Sequence, residues 1–231
     1  RGLENLRQDE REEENDAGLA EMIAGYGEIY VNDAFAEAHR QHTSTYGVAL
    51  KLPAYAGITL AEEVEKLRVV MQPTRPALFL LGGAKFETKM PLVTKYLDIY
   101  DQVFIGGALA NDVLKGRGFE VGQSLVSEVS LSGEPFLENP KLIVPVDVVV
   151  ATNTGKEVRA VSAVRPEERI LDVGPRTVSL LEPLIQSAAT VLWNGPFGNY
   201  EAGFVEGTEA VAKLVARAAG YSVVGGGDTV A

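Results

Sequence analysis

Cysteine is absent from the 231 residues, which excludes a disulfide, a thiolate metal site and a thiol nucleophile within them. Histidine is nearly absent: His39 and His42 are the only two, too few for most metal-ligand sets. Basic residues are outnumbered, 21 Lys and Arg against 32 Asp and Glu, for a formal charge of -11. Nucleic-acid backbones are gripped by clustered Lys and Arg, whereas six of the eight residues from Asp9 to Asp16 are acidic, so no nucleic-acid partner is expected. That run reads as a solvated helix start. Long apolar runs are missing too. Stretches such as Ala77 to Leu81 and Leu142 to Val144 fall far short of the roughly 18 residues that span a bilayer, and no membrane partner is expected. The first residues, RGLENLRQDEREEEND, show neither the apolar core nor the cleavage site of a signal peptide, so a cytoplasmic protein is expected.

What is present is material for a core: 46% of residues are hydrophobic and 23% charged. The length suits one large α/β domain or two smaller ones. The first residue is Arg, and the sequence closes on GGGDTVA at what reads as a helix beginning, so a fragment of a longer protein is expected. From Ala77 onward a short β-rich run, a glycine turn and a helical period recur. The runs are ALFLL before Gly82-Gly83, QVFI before Gly106-Gly107, ILDV before Gly174-Pro175, TVLW before Asn194-Gly195-Pro196, and YSVV before Gly225-Gly226-Gly227. Helix spacing marks Leu92, Val93, Tyr96 and Leu97, then Leu109, Val113 and Leu114, then Val211, Leu214 and Val215. This alternation predicts an α/β fold with a doubly wound parallel sheet, glycine turns at its carboxyl edge and ligands bound there. Residues Asp147 to Ala151 and Glu157 to Val164 predict a hairpin around Thr152-Asn153-Thr154-Gly155 that decorates the sheet.

Upstream, Leu19, Met22 and Ile23 mark a helix ending near Gly25 or Gly27, and Ile29, Tyr30 and Val31 a strand running into Asn32-Asp33. Thr59 to Met71 predicts a helix with a Thr59/Glu62 capping box, an apolar face of Leu60, Val64, Leu67 and Met71, and Pro73 and Pro76 as stops. It serves equally as an interdomain connector or as a core helix.

A glycine turn feeding a helix exposes unpaired N–H groups and a positive dipole end, which suits phosphate. Neither GxxxxGK[ST] nor GxGxxG occurs, so a standard P-loop ATPase and a standard dinucleotide dehydrogenase lose ground. In their place stand Gly82-Gly83-Ala84-Lys85 with Lys89 four residues on, and Gly225-Gly226-Gly227-Asp228-Thr229. Three consecutive glycines are tolerated where a ligand must approach the main chain. Asp228 suits a hard cation such as Mg²⁺, and Thr229 can donate to phosphate. Glu201 could accept from ribose hydroxyls, while Trp193 reads as core. Arg7 and Arg40 are guanidinium groups of the kind that bind carboxylate or phosphate.

Taken in order, ENLR, YVNDAFAEAHRQHTS, LPAYAG, LLGGAK, the IGG of IGGALA, the PVD of IVPVDVVV, DVGPRT, LWNGPFGNYE and VVGGGDTV resemble the phosphoglycerate kinase family across essentially the whole sequence. The resemblance implies two Rossmann-like domains joined by a connector helix, and a monomeric hinge-bending enzyme. Its reaction would be reversible phosphoryl transfer from 1,3-bisphosphoglycerate to ADP, giving 3-phosphoglycerate and Mg-ATP in glycolysis. Residues 1–58 would be the C-terminal part of the triose-phosphate-binding domain, 59–72 the interdomain helix and 73–231 the nucleotide-binding domain. Arg7 and Arg40 would hold the triose phosphate, Lys85 the phosphoryl group in transfer, and Lys89 the nucleotide phosphates. Gly106 and Gly107 would lie beside adenine, Glu201 at the ribose, Gly225, Gly226, Gly227 and Thr229 along the phosphates, and Asp228 at Mg²⁺. The aspartate common in the family just before the second lysine is Thr88 here. The family's opening Asp-Phe-Asn and Ser-His-Leu-Gly-Arg-Pro motifs are expected before Arg1, and its closing serine- and glycine-rich segment after Ala231. Transfer of an acyl phosphate needs no cysteine and no general base, because the attacking phosphate oxygen is already ionised; cations and dipoles suffice. A catalytically inactive nucleotide-binding α/β protein is the alternative if the chain is complete as it stands. A two-lobed solute-binding protein is disfavoured by the missing secretion signal.

Overall fold

The computed structural model describes residues 4–84, 86–152 and 155–230, without the side chains of 86–88, 228 and 230. Two compact units emerge, Arg1–Val69 and Val70–Ala231.

In the first unit the acidic run is not simply a solvated helix start. It forms a 3-10 turn at Glu10–Glu12, and Glu12 is buried, its carboxylate accepting from the Ser44 N–H at 3.0 Å and the Ser44 hydroxyl at 2.5 Å. A carboxylate leaves water only when such donors replace its hydration. Asp16 does act at a helix start: it accepts from Leu19 N at 2.7 Å and caps α1 (Ala17–Ala24), which ends at Gly25. Strand β1 (Tyr30–Asn32) pairs in parallel with β2 (Ala54–Ala56), a strand within LPAYAG that no apolar pattern announces because all three of its residues are exposed. Helix α2 (Ile58–Met71) follows.

The expected capping box does not form at α2. The helix begins at Ile58, so Thr59 already lies inside it, and Asp33 at the end of β1 takes over the role. Its carboxylate accepts from Leu60 N and from Thr59 Oγ1, each at 2.9 Å. Those bonds, Leu60 N first, hold the Asp33 carboxyl below its ordinary range. Of the expected apolar stripe, Leu60 and Leu67 are half-buried, whereas Val64 and Met71 are exposed. The division between the two units falls inside this helix.

The second unit opens with β3 (Ala77–Leu81), α3 (Phe86–Ile99), β4 (Gln102–Ile105), α4 (Gly107–Gly116) and the two-residue β5 (Leu142–Ile143). Next come β6 (Asp147–Thr152), β7 (Gly155–Ala160), β8 (Arg169–Val173) and α5 (Pro175–Ser187). The chain closes with β9 (Thr190–Asn194), α6 (Glu206–Arg217), β10 (Tyr221–Gly225) and α7 (Gly227–Val230). Strands β10-β9-β3-β4-β5 form a parallel sheet in that order. All five residues of β3 are buried, as a central strand covered on both faces requires. One face packs Leu78, Leu80, Phe104, Val191 and Trp193 against Leu181 and Ile185 of α5 and Val211 and Val215 of α6. On the other, Phe79 meets the rings of Tyr96 and Tyr100, and the buried Tyr100 hydroxyl donates to Val70 O at 2.8 Å.

One of the five expected repeats goes elsewhere. The ILDV run, β8, pairs antiparallel with β6, which also pairs antiparallel with β7 in a separate three-stranded sheet. A short apolar run does not encode its pairing direction, and β5 takes the edge position of the parallel sheet instead. The expected hairpin is present as β6 and β7, but β7 stops at Ala160 and residues 161–163 form a 3-10 turn. Asn153 and Thr154 of its turn lie outside the described residues.

From β3 the chain builds β4 and β5 to one side, then returns to build β9 and β10 on the other. The reversal lies between β3 and β9, and in open parallel sheets the crevice outside such a reversal is where ligands bind.

Candidate functional site

The carboxyl ends of β3 and β9 are locked by backbone. Gly82 N donates to Asn194 O at 2.8 Å and Gly83 N to Pro196 O at 3.1 Å. A Cβ on Gly82 would stand 2.5 Å from Gly195 O and closer still to Pro196 O, while Gly195 itself has a φ of 91°, so neither position accepts a side chain. The turn after β4 packs onto the same place. Gly106 N donates to Leu81 O at 2.8 Å, Leu109 N to Gly83 O at 3.1 Å, and Gly107, at φ 64°, lies where a Cβ would be 2.9 Å from Gly83 N. Beneath Gly106 lies Phe197, edge-on to Phe104 and stacked on Trp193 with centroids 5.3 Å apart.

Lys89 reaches this junction from the first turn of α3. Its ammonium donates to Gly82 O at 2.7 Å and to Asn194 Oδ1 at 3.3 Å. The turn after β10 joins from the other side: Gly225 pairs in register with Asn194, and Gly195 N donates to Thr229 Oγ1 at 2.9 Å. Gly226 has a φ of 96°, and the surroundings of Gly227 are open.

Alongside the junction, and within the second unit, runs a cleft of about 590 Å³. Gly83, Ala84, Gly107 and Ala108 border it at the glycine turns, Leu125 and Ile170 give it apolar surface, and Glu201 stands on its wall in the 3-10 turn Tyr200–Ala202. Asp172 lines it too, almost fully buried. Its carboxylate accepts from Val173 N at 2.8 Å and from Gly207 N, in the first turn of α6, at 2.9 Å. Burial pushes its pKa up to about 6, with the charge of Glu206 adding to the rise and the two N–H donors and Lys156 opposing it.

The first unit holds the two expected arginines side by side. Arg7 Nη2 bonds Glu37 Oε2, and Arg40 Nε lies 3.1 Å from the same oxygen; Arg7 Nε is 3.8 Å from Glu13. His39 is exposed and His42 half-buried nearby in sequence.

Of the residues expected at a nucleotide site, Gly106, Gly107, Lys89, Gly225, Gly226, Gly227 and Thr229 gather at or next to the junction, and Glu201 stands on the cleft wall. Lys85 lies outside the described residues, as do the side chains of Thr88 and Asp228. Asn194, Asp172 and Glu37 were not singled out by sequence. Among them only Glu37 leaves a signal there, standing three residues before Arg40. Among the described residues no group of three or more His, Cys, Asp or Glu could hold a metal.

Comparison with known proteins converges on one family. The family model described as phosphoglycerate kinase matches residues 2–231. Phosphoglycerate kinases of Roseiflexus sp. (strain RS-1) and Moorella thermoacetica are 42% and 43% identical, each aligned over 99% of this chain and 61% of its own length. A solved structure of the Coxiella burnetii phosphoglycerate kinase superposes with a TM-score of 0.89 at 39% identity, over 98% of this chain and 62% of that one. The crystal structure of the Pyrococcus horikoshii enzyme gives 0.84 at 28% identity, with the same coverage. The chain thus spans about three fifths of the relatives it matches.

Proposed function

The chain belongs to the phosphoglycerate kinase family, and on that premise we propose that it carries the nucleotide site and part of the glycerate site of a reversible phosphoryl transfer. The donor is the acyl phosphate of 1,3-bisphosphoglycerate, the acceptor Mg-ADP, and the products 3-phosphoglycerate and Mg-ATP. In this reading residues 1–58 serve the glycerate, 59–72 connect and 73–231 serve the nucleotide. The protein acts as a monomer in the cytoplasm on small molecules, without a nucleic-acid or membrane partner. No helix among the described residues is long and apolar enough to cross a membrane.

The observation that carries this reading is the convergence of four glycine turns at the sheet reversal beside the cleft. There the backbone approaches without side chains, the N–H groups of Gly82, Gly83, Gly106 and Gly195 hold the junction together, and the helix start at Gly107 faces the cleft where an anion would bind. Lys89 is held at the strand ends by two oxygen acceptors, where its charge meets the nucleotide phosphates. Thr229 accepts from Gly195 N, so its own hydroxyl proton remains for a phosphate oxygen. Glu201 accepts from the ribose hydroxyls, and the purine lies in the cleft beside Gly106 and Gly107. Lys85 follows the phosphoryl group in transfer, and Arg7 and Arg40 take the anionic ends of the glycerate. Asp228 holds the Mg²⁺ that enters with the nucleotide, a cation that commonly takes one or two carboxylates plus phosphate oxygens. What the protein contributes to the chemistry is charge placed in line with the moving phosphoryl group, plus the exclusion of water.

Calorimetric titration of the chain with Mg-ADP tests the nucleotide site. Binding is expected, weakened about tenfold or more in Glu201→Ala by loss of a charged acceptor, and made insensitive to magnesium in Asp228→Ala. A folded sample that takes up no Mg-ADP would overturn the site.

A further inference from the structure

Two guanidinium groups that converge on one carboxylate already hold an anion, and that anion belongs to the protein. Arg7 Nη2 and Arg40 Nε both meet Oε2 of Glu37, the second at 3.1 Å, and all three side chains are only partly exposed, between 37% and 43%. Glu37 is kept in reach by the chain itself: it ends the 3-10 turn Phe35–Glu37, and Arg40 N donates to the Glu37 carbonyl at 3.0 Å. Glu13 adds a second negative charge 3.8 Å from Arg7 Nε. Any carboxylate or phosphate that comes to these arginines must displace Glu37 or sit against its charge.

We propose that Glu37 is a built-in competitor for the anion clamp formed by Arg7 and Arg40, a positioning residue that orders both guanidiniums and lowers the affinity of the clamp for an anionic substrate. The inference rests on the reading of Arg7 and Arg40 as the glycerate clamp. Its direction is opposite to that of a residue that merely supports the site. Removing a support loosens the arginines and weakens binding, whereas removing a competitor strengthens it. Exposed ion pairs are individually weak, but two act on the same carboxylate, so its neutralisation should strengthen anion binding by about tenfold at low salt. The gain should shrink as ionic strength rises, because the competing charge is screened.

The test titrates the chain with 3-phosphoglycerate, and with inorganic phosphate alongside, followed by amide NMR shifts. Wild type, Glu37→Gln, Glu37→Ala, Arg40→Ala and the Glu37→Gln/Arg40→Ala double variant are compared, and the same spectra report whether each is folded. Tighter 3-phosphoglycerate binding in both Glu37 variants, lost in the double variant and reduced by salt, is expected. If wild type and the Glu37 variants bind alike, or the variants bind more weakly, while Arg40→Ala still weakens binding, the clamp stands and the competitor falls. If neither wild type nor any Glu37 variant binds either anion, the clamp itself is wrong and the inference falls with it.

Discussion

Asp172 allows the second unit to be perturbed by pH alone. Its side chain is 2% exposed, and burial, the largest influence on it, raises its pKa from 3.8 to about 6. A pKa higher in the folded than in the unfolded chain means that the folded state keeps a proton which unfolding releases. The resulting stabilisation is fully present below the unfolded value and is lost as pH rises through about 6. The span from 3.8 to about 6 corresponds to roughly 3 kcal/mol. Trp193, the only tryptophan, is buried in the core of the same unit, so its fluorescence follows urea unfolding there. Wild type and Asp172→Asn would be compared from about pH 4 to about pH 8. Whatever the asparagine amide costs beside Gly207 N is constant with pH, and titrating groups remote from Asp172 cancel in the difference. Relative to the variant, wild type should lose roughly 2 kcal/mol across this window, because part of the full change already lies below its acid end. A difference that stays flat within about 0.5 kcal/mol would refute the account of Asp172 as a carboxyl whose ionisation is opposed by burial.

Gly82→Ala should destabilise the second unit by about 3 kcal/mol, the upper end for overpacking, because the new methyl meets two backbone carbonyls that no rotamer change can move; unchanged urea unfolding by Trp193 fluorescence would exclude the locked junction. Glu12→Ala should cost about 1–3 kcal/mol by stranding the Ser44 donors, and should speed hydrogen exchange at the Ser44 amide, whose N–H finds no acceptor in the new side chain.

Four strands of the parallel sheet were readable because ALFLL, QVFI, TVLW and YSVV each combine β-rich apolar residues with a glycine turn. ILDV carries the same signature and joins a different sheet. Its pairing is set by β6, some twenty residues earlier, against which Val173 and Asp172 lie opposite Val148 and Val149. Local pattern reports that a segment is extended and half-buried, while partner and direction depend on contacts distant in sequence. The same limit explains β5, whose two residues are too short for any period, and β2, whose Ala54, Tyr55 and Ala56 are all exposed. The cap of α2 failed for a related reason: a capping box is a local signal, and the carboxylate that does the work, Asp33, arrives from the end of a strand 26 residues before Thr59.

The site divides along the line between side chains that act and backbone that merely comes close. Lys89 and the triple glycine were visible because an unusual composition must be explained. The lock between Gly82 and Gly195 was not, since the two turns lie more than a hundred residues apart in sequence and only the fold sets each glycine's carbonyl against the other's missing side chain. Charge follows the same rule with one difference. Glu37 and Arg40 stand three residues apart, a spacing at which opposite charges pair within a helical turn, so half of that ion pair could be read directly. Arg7 lies thirty residues away from Glu37, and only the fold brings it to the same oxygen. The step from one exposed salt bridge to two arginines sharing one carboxylate is therefore tertiary, and the competition proposed for Glu37 rests on this step.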